Sequence, residues 1–301
     1  MAKIFKSHGK LMITGEYFVL RGAKSLLLPT KFYQDMIVSK LDNKAIISWE
    51  SYDHNHKKWF SVEFNLPYIT IVGEKTKQKV FLKKILDFVI KKKPKIFENN
   101  IGLKIKTTMD FERKWGLGSS AILINNLSNY FGLNPFEVSK NVTNSSGADI
   151  ASVATSKPIV YSLSNEKPLY KHVNFNPKFS KNLLFIFLNK KQSSSKEVER
   201  FKSLKINDNE INTITQITNE ILDCKEIDDF NYLINEHEEI ISRKIKRKTV
   251  KNLLFKDFRG SIKSLGAWGG DFILACSESN SKNYFKRKGF ETSVSFDNML
   301  K

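Results

Sequence analysis

Seven consecutive residues, Trp115-Gly116-Leu117-Gly118-Ser119-Ser120-Ala121, have the types and spacing best suited to chemistry in this 301-residue chain. They follow a strand pattern, Ile101 to Met109, and open a helical one, Ala121 to Tyr130. Backbone N–H groups at a helix entrance converge on one concavity. The helix dipole adds partial positive charge there, so the place suits a phosphate. Gly116 and Gly118 let the backbone approach an anion, and a serine hydroxyl reaches a phosphate-bound metal. A glycine turn with Ser119 as a helix N-cap fits the same residues.

Two familiar phosphate loops do not match. The Walker loop ends in Gly-Lys-Ser/Thr, and no such run occurs. The spacing Gly116-x-Gly118-x-x-Ala121 matches a dinucleotide fingerprint, but the charged run Glu112-Arg113-Lys114 stands where that fingerprint wants a strand, and Asn134-Pro135 follows the helix.

Other stretches offer groups that such a loop would need. Gly9-Lys10 closes a short strand, Lys3 to His8. Ser145-Ser146-Gly147-Ala148-Asp149 is a second turn-to-helix junction, where Asp149 serves either as a helix N-cap or as an acid–base group. Gly266 to Gly270 reads as a tight turn between strands. Asn189 to Ser195 ends in three serines before a helix and reads equally as an N-cap cluster or as a polar binding loop.

The elements that must position these residues follow from periodicity. The first third is β-rich, with strands at Gln34 to Lys40, Lys44 to Trp49 and Lys58 to Phe64. Lys77 to Lys91 has helical spacing. Beyond Leu163 come a buried-type strand, Leu183 to Leu188, and amphipathic helices at Ser193 to Lys205, Asp208 to Cys224 and Asp228 to Arg243. A tail of strand, turn, strand, helix and strand ends the chain.

Composition bounds the class. Hydrophobic content of 41% and aromatic content of 12% fit a folded globular protein. The apolar runs are too short to span a bilayer, and no membrane partner is expected. Two cysteines exclude a disulfide framework and fit a reducing cytoplasm; the N-terminus lacks the apolar core of a signal peptide. The net charge of +19 favours anionic small molecules. A nucleic-acid surface is disfavoured, because neither an RNA-binding aromatic signature nor zinc-finger spacing accompanies the lysines.

Four stretches in order, Gly9 to Gly22, Lys114 to Ala121, Ser145 to Ala151 and Ser264 to Asp271, together resemble the motifs of the GHMP kinases. The Gly15-Glu16-Tyr17 and Lys114-Trp115-Gly116-Leu117-Gly118-Ser119-Ser120 forms resemble the phosphomevalonate kinase branch most, with mevalonate kinase next. The resemblance implies an α+β fold of two domains. Residues 1–165 would form an ATP-binding domain resembling ribosomal protein S5 domain 2, and residues 166–301 a ferredoxin-like domain. It implies ATP-dependent phosphorylation of 5-phosphomevalonate or mevalonate, with ATP and Mg²⁺ as cofactors. A diphosphomevalonate decarboxylase, a sugar or homoserine kinase and a non-catalytic binding protein of the same fold are the alternatives. A homodimer is compatible with all of them.

The resemblance also assigns roles. Gly116, Leu117, Gly118, Ser119, Ser120 and Ala121 would hold the ATP phosphates, with Ser120 on the metal. Asp149 would orient or deprotonate the attacking oxygen, and Lys10 would steady Asp149 or the moving phosphoryl group. Gly147, Ser195, Gly266, Gly269 and Gly270 would border the substrate. Glu16 reads as a buried structural carboxylate. Two departures stand out. The segment from Gly116 to Asp149 is short and offers only Glu137 as an acidic metal ligand, and Trp268 and Asp271 stand where the family has small residues.

Overall fold

The computed structural model describes residues 1–301 except Asn43, Ile101, Asn144, Gln192, Ser193 and Ala267, and except the side chains of residues 98–100 and 194–196. In chain order the elements are β1 (Lys3–Met12), β2 (Ser25–Leu41), β3 (Ile46–Tyr52), β4 (Lys58–Asn65), β5 (Thr70–Ile71), α1 (Lys77–Lys92), β6 (Gly102–Met109), α2 (Ser119–Phe131), α3 (Pro135–Val142) and α4 (Ala148–Thr155). Then come β7 (Ile159–Ser164), β8 (Lys167–His172), β9 (Leu183–Phe187), α5 (Ser194–Lys202), α6 (Asp208–Asp223), α7 (Ile227–Ile245), α8 (Val250–Leu254), β10 (Ser261–Ser264), β11 (Phe272–Cys276), α9 (Lys282–Arg287), β12 (Ser293–Ser295) and α10 (Phe296–Met299).

The chain forms two compact units that interleave in sequence. The first holds Met1–Gly9, Phe32–Arg113 and Ser119–Ala154; the second holds Lys10–Lys31, Lys114–Gly118 and Thr155–Lys301. In the first, strands follow the order β5-β4-β3-β6-β2, with β3 and β6 parallel and β6 and β2 antiparallel. β6 shows the alternation its sequence predicts: Leu103, Ile105, Thr107 and Met109 are buried while Lys104 and Lys106 face out. α1 buries Leu82, Ile85, Leu86, Phe88 and Val89 and presents its lysines to solvent. Its N-cap Thr76 accepts a hydrogen bond from the Lys79 N–H at 3.3 Å.

Leu26 to Pro29 and Gln34 to Lys40 are one continuous 17-residue strand rather than an apolar run and a separate strand. The apolar residues pair at Ser25–Leu27 with β7, and the alternating part at Gln34–Leu41 with β6. Burial on both faces erases the alternation in the first half.

The second unit carries an antiparallel sheet in the order β10-β11-β9-β12. With α6 and α7 between β9 and β10, and α9 between β11 and β12, this is the ferredoxin-like β-α-β-β-α-β arrangement. One apolar cluster, including Ile186, Phe255, Ile262, Ile273 and Phe285, fills its centre. α6 starts with a full capping box, Asn207 and Glu210 bonding each other's backbone N–H at 2.9 and 3.0 Å.

Candidate active site

The glycine loop is built by exclusion of side chains. Gly116 and Gly118 have φ of +68° and +85°, a region that L-residues avoid. A Cβ on Gly116 would lie 2.6 Å from the carboxyl carbon of Asp271, and one on Gly118 would lie 3.1 Å from Cε of Lys10. Between them Leu117 is fully buried and anchors the loop, and its carbonyl accepts the Lys10 N–H at 3.0 Å. Trp115 packs edge-on against Phe272, ring centroids 5.4 Å apart. Three distant stretches, at Lys10, Lys114–Gly118 and Asp271–Phe272, therefore meet in the second unit.

The turn after β10 is fixed in turn. Gly266 and Gly269 have φ of +69° and +88°, and Asp271 has +53°. The Asp271 N–H donates to Lys190 O at 2.7 Å, and the Leu188 N–H donates to Asp271 O at 2.9 Å. Trp268 is buried, and its backbone N–H donates to the Tyr17 hydroxyl at 3.0 Å. Burial pushes that phenol up to about 12, against the pull of the Trp268 hydrogen bond. Beside the turn lies a cavity of about 650 Å³ lined by Lys190, Arg247, Lys248, Trp268, Gly269 and the apolar Leu253, Leu254 and Phe290. Glu197 pairs with Arg247 at its edge, at 3.0 Å.

Below the turn is a buried polar group that spacing does not reveal. Lys263 Nζ contacts Glu16 Oε1, and it donates to Glu238 Oε1 at 3.0 Å and to Ser264 O at 2.7 Å. Ser264 Oγ donates to Glu238 Oε2 at 3.1 Å. His237 Nε2 accepts the Gly15 N–H at 2.9 Å and stands 3.6 Å from Glu16 Oε2, so the neutral ring carries its proton on Nδ1. Burial lowers the imidazole to about 3, raises the Glu238 carboxyl well above its usual range and lowers the Lys263 ammonium. The contacts of Lys263 with the two carboxylates oppose the last two shifts. Glu16, His237 and Glu238 have the ligand types for a metal, but the Lys263 ammonium already supplies the cation between the carboxylates. Glu16 is thus the structural carboxylate its motif suggested. Lys263 lies one residue before the stretch singled out in the sequence.

In the first unit the loop runs on into α2, which begins at Ser119; Ser120 is exposed and Ala121 is buried. α2 is pinned to the sheet by polar contacts that the sequence leaves invisible. Ser7 Oγ donates to Asn126 Oδ1 at 2.6 Å, Asn125 Nδ2 donates to Ser7 Oγ at 3.0 Å, and Asn126 Nδ2 donates to Gln34 O at 3.2 Å. Gly147, φ +84°, ends the turn before α4, and Ser146 Oγ accepts the Ala148 N–H at 3.3 Å. Asp149 is half-buried within the first turn of α4 rather than at its cap. Glu137 is exposed and pairs with Lys92 at 2.9 Å. Within the second unit, then, Lys10, Gly116–Gly118, Gly266, Gly269 and Gly270 are assembled; Ser119–Ala121, Gly147 and Asp149 belong to the first. The side chain of Ser195 lies outside the described residues.

Glycine at 116 and 118 leaves the room that the Asp271 carboxyl and the Lys10 side chain occupy, and so keeps both charged groups against the loop. The residues expected to hold Mg²⁺ fit it poorly: among the described residues Glu137 lies exposed on α3 beside Lys92 of α1, and Ser120 offers a hydroxyl without charge.

No family model and no curated protein matches the sequence. Solved structures do match. Methanococcus jannaschii mevalonate kinase is 20% identical with a TM-score of 0.69, the match covering 98% of this chain and 96% of that one. Streptococcus pneumoniae phosphomevalonate kinase, solved with phosphomevalonate and AMPPNP, is 17% identical with a TM-score of 0.70, covering 97% and 99%. Lactococcus lactis galactokinase, solved with galactose, is 14% identical with a TM-score of 0.68, covering 99% and 93%. The chain has the two-domain GHMP kinase fold, as its motifs led one to expect. Among the described residues no helix is long and apolar enough to cross a membrane.

Proposed function

We propose that this protein is an ATP-dependent small-molecule kinase acting on 5-phosphomevalonate, with mevalonate as the alternative substrate. The observation that carries the reading is the convergence of Lys10, the glycine loop and the Asp271 turn, where glycines at 116 and 118 are required by their neighbours. Backbone amides at a glycine loop that opens a helix suit phosphates, a lysine beside them adds positive charge, and phosphoryl transfer asks chiefly for positioning and charge neutralisation.

In the proposed reaction the loop amides and the start of α2 hold the triphosphate. A substrate oxygen bonds to the γ-phosphorus while the bond to the bridging oxygen breaks, and ADP leaves. If the nucleophile is a hydroxyl, its proton passes to the Asp149 carboxylate; a phosphate nucleophile needs only to be oriented. Lys10 offsets charge on the moving group. Mg²⁺, when bound with ATP, would offset phosphate charge beside Ser120. The division into an ATP-binding domain, residues 1–165, and a ferredoxin-like domain, residues 166–301, belongs to this proposal, as does a cytoplasmic location.

The cavity beside Trp268 and Gly269 favours the phosphorylated substrate. Lys190, Arg247 and Lys248 supply positive charge for phosphate and carboxylate, and Leu253 and Leu254 supply an apolar wall for a short branched carbon chain.

A coupled ADP-release assay with mevalonate, phosphomevalonate, diphosphomevalonate, homoserine and galactose tests the reading. Turnover on phosphomevalonate or mevalonate is expected. Asp149→Asn should lower it by about 10²–10⁴-fold when a hydroxyl is attacked, with ATP affinity kept. No turnover on any of the five would refute the kinase reading and favour a binding protein of this fold.

A further inference from the structure

Among the described residues that line the cavity beside Trp268, Glu197 is the one acid, set against Lys190, Arg247 and Lys248. Its Oε1 accepts a hydrogen bond from Arg247 Nη2 at 3.0 Å. The cation best shaped to take a phosphate is therefore held by a carboxylate of the chain itself.

The two partners are anchored differently. Arg247 is fixed through its backbone. Its N–H donates to Ser242 O at 3.1 Å, and its carbonyl accepts from Ser242 Oγ at 2.6 Å, just past the end of α7. Glu197 stands near the start of α5, and α5 is fixed at its other end. Phe201 is the only buried residue among the described side chains of this helix. Its ring stacks on Tyr17, centroids 5.4 Å apart, and lies 5.3 Å from that of Phe18. Arg21 Nη2 donates to Lys202 O at 2.7 Å and closes that end. At the start of α5, among the described residues, the bond to Arg247 is the only side-chain bond to the rest of the unit.

The pair is built to be exchanged. Both side chains keep contact with solvent, 33% exposed for Arg247 and 15% for Glu197. An ion pair so placed is worth at most about a fivefold factor in an equilibrium. A phosphate near neutral pH brings almost two charges and three acceptor oxygens, and it meets a guanidinium through two parallel bonds. It can displace a carboxylate that holds through one oxygen; a hydroxyl cannot.

We propose that Glu197 is a positioning residue that acts through Arg247: a resident counter-anion that a substrate phosphate displaces, freeing the start of α5 to swing about Phe201. This rests on the reading of the cavity as the place of the substrate's phosphate. The closed pair lowers the affinity of every ligand that needs Arg247 by the factor required to open it, and leaves other ligands untouched. Phosphate occupancy of the cavity is thereby coupled to the position of a helix.

The test is calorimetry on the full chain with phosphomevalonate, inorganic phosphate and mevalonate, paired with hydrogen exchange at the amides of Val198 to Arg200. Glu197→Gln should tighten both phosphate ligands by about two- to fivefold and leave mevalonate within about 1.5-fold. The KM for phosphomevalonate should fall by the same factor with kcat kept. In wild type, phosphomevalonate should speed the α5 amides by about two- to fivefold and mevalonate should not; in Glu197→Gln they should be fast without ligand. In an Arg247→Gln background, Glu197→Gln should change nothing, which a merely structural role for Glu197 would not produce. Phosphomevalonate turnover with unchanged KM in Glu197→Gln, or α5 amides that slow on binding, overturns the proposal and leaves the kinase reading standing. Equal tightening of mevalonate overturns it too. Inorganic phosphate that frees α5 in a protein that neither binds nor turns over phosphomevalonate upholds the proposal and removes the substrate reading. Wild-type protein that binds none of the three overturns both.

Discussion

Replacing Gly116 by alanine tests the assembly at its tightest point. The new methyl would start 2.6 Å from the Asp271 carboxyl and 3.0 Å from its Cβ. Asp271 cannot move aside easily, because its backbone is bonded to Lys190 and Leu188 at 2.7 and 2.9 Å. The loop must yield. Holding an L-residue at φ +68° costs about 1–2 kcal/mol, and forcing a methyl into a filled contact costs about 1–3 kcal/mol more. The amide of Lys10, bonded to Leu117 O, reports loop opening directly through native-state hydrogen exchange. Gly116→Ala should speed that exchange at least tenfold, since about 1.4 kcal/mol is a factor of ten. Asp271→Gly removes the carboxyl at a position whose own φ of +53° suits glycine. In that background Gly116→Ala should retain only the backbone strain, giving a coupling of about 1 kcal/mol or more between the two sites. Additivity within about 0.5 kcal/mol would refute the claim that Asp271 is what forbids a side chain at 116.

Lys263→Met should destabilise by about 3–5 kcal/mol, read as a lower thermal midpoint, because it leaves two buried carboxylates without their cation. Adding Glu16→Gln should recover part of the loss; no recovery would show that the charge pairing is not the cause. His237 sets an acid limit. Its folded value of about 3 lies below the usual 6.5, so the stability it contributes is complete above pH 6.5 and falls as pH drops toward 3, by up to about 1.4 kcal/mol per unit. The nearby Glu16 carboxylate works against this by favouring the charged ring. His237→Gln should flatten the stability profile between pH 6.5 and 4, and an unchanged slope would remove His237 as its source.

What the sequence revealed was local. A glycine that needs positive φ, a helix that needs an amphipathic face and a strand that alternates all write their demands within a few neighbouring residues. The loop, α1, β6 and the strand, turn, strand, helix and strand of the tail were legible for that reason. Ser7, Asn125 and Asn126 were not, because a buried amide–hydroxyl contact needs a partner more than a hundred positions away and leaves no periodic trace. Trp59 was hidden differently. In the sequence it is one more aromatic residue in a strand, and only the register shift opposite Ser51 and Tyr52 makes it the extra residue of a bulge in β4.

Glu137 shows how far spacing carries an argument. It is the only acid between Gly116 and Asp149 that the sequence offers beside Ser120, the residue expected on the metal. Yet α3 turns it to the surface, where Lys92 on α1 takes its carboxylate at 2.9 Å. An exposed pair of this kind holds by at most about 1 kcal/mol, too little to keep Glu137 from a divalent cation if one lay within reach. The pairing therefore follows from where α3 places the residue. The acids that are deeply buried, Glu16 and Glu238, are held by Lys263 beneath the turn, with their charge spent on fixing Gly15 to Tyr17 and Ser264 relative to each other. Carboxylates so enclosed position the turn, and a metal arriving with ATP would find its oxygens in the phosphates themselves before it found them in this chain.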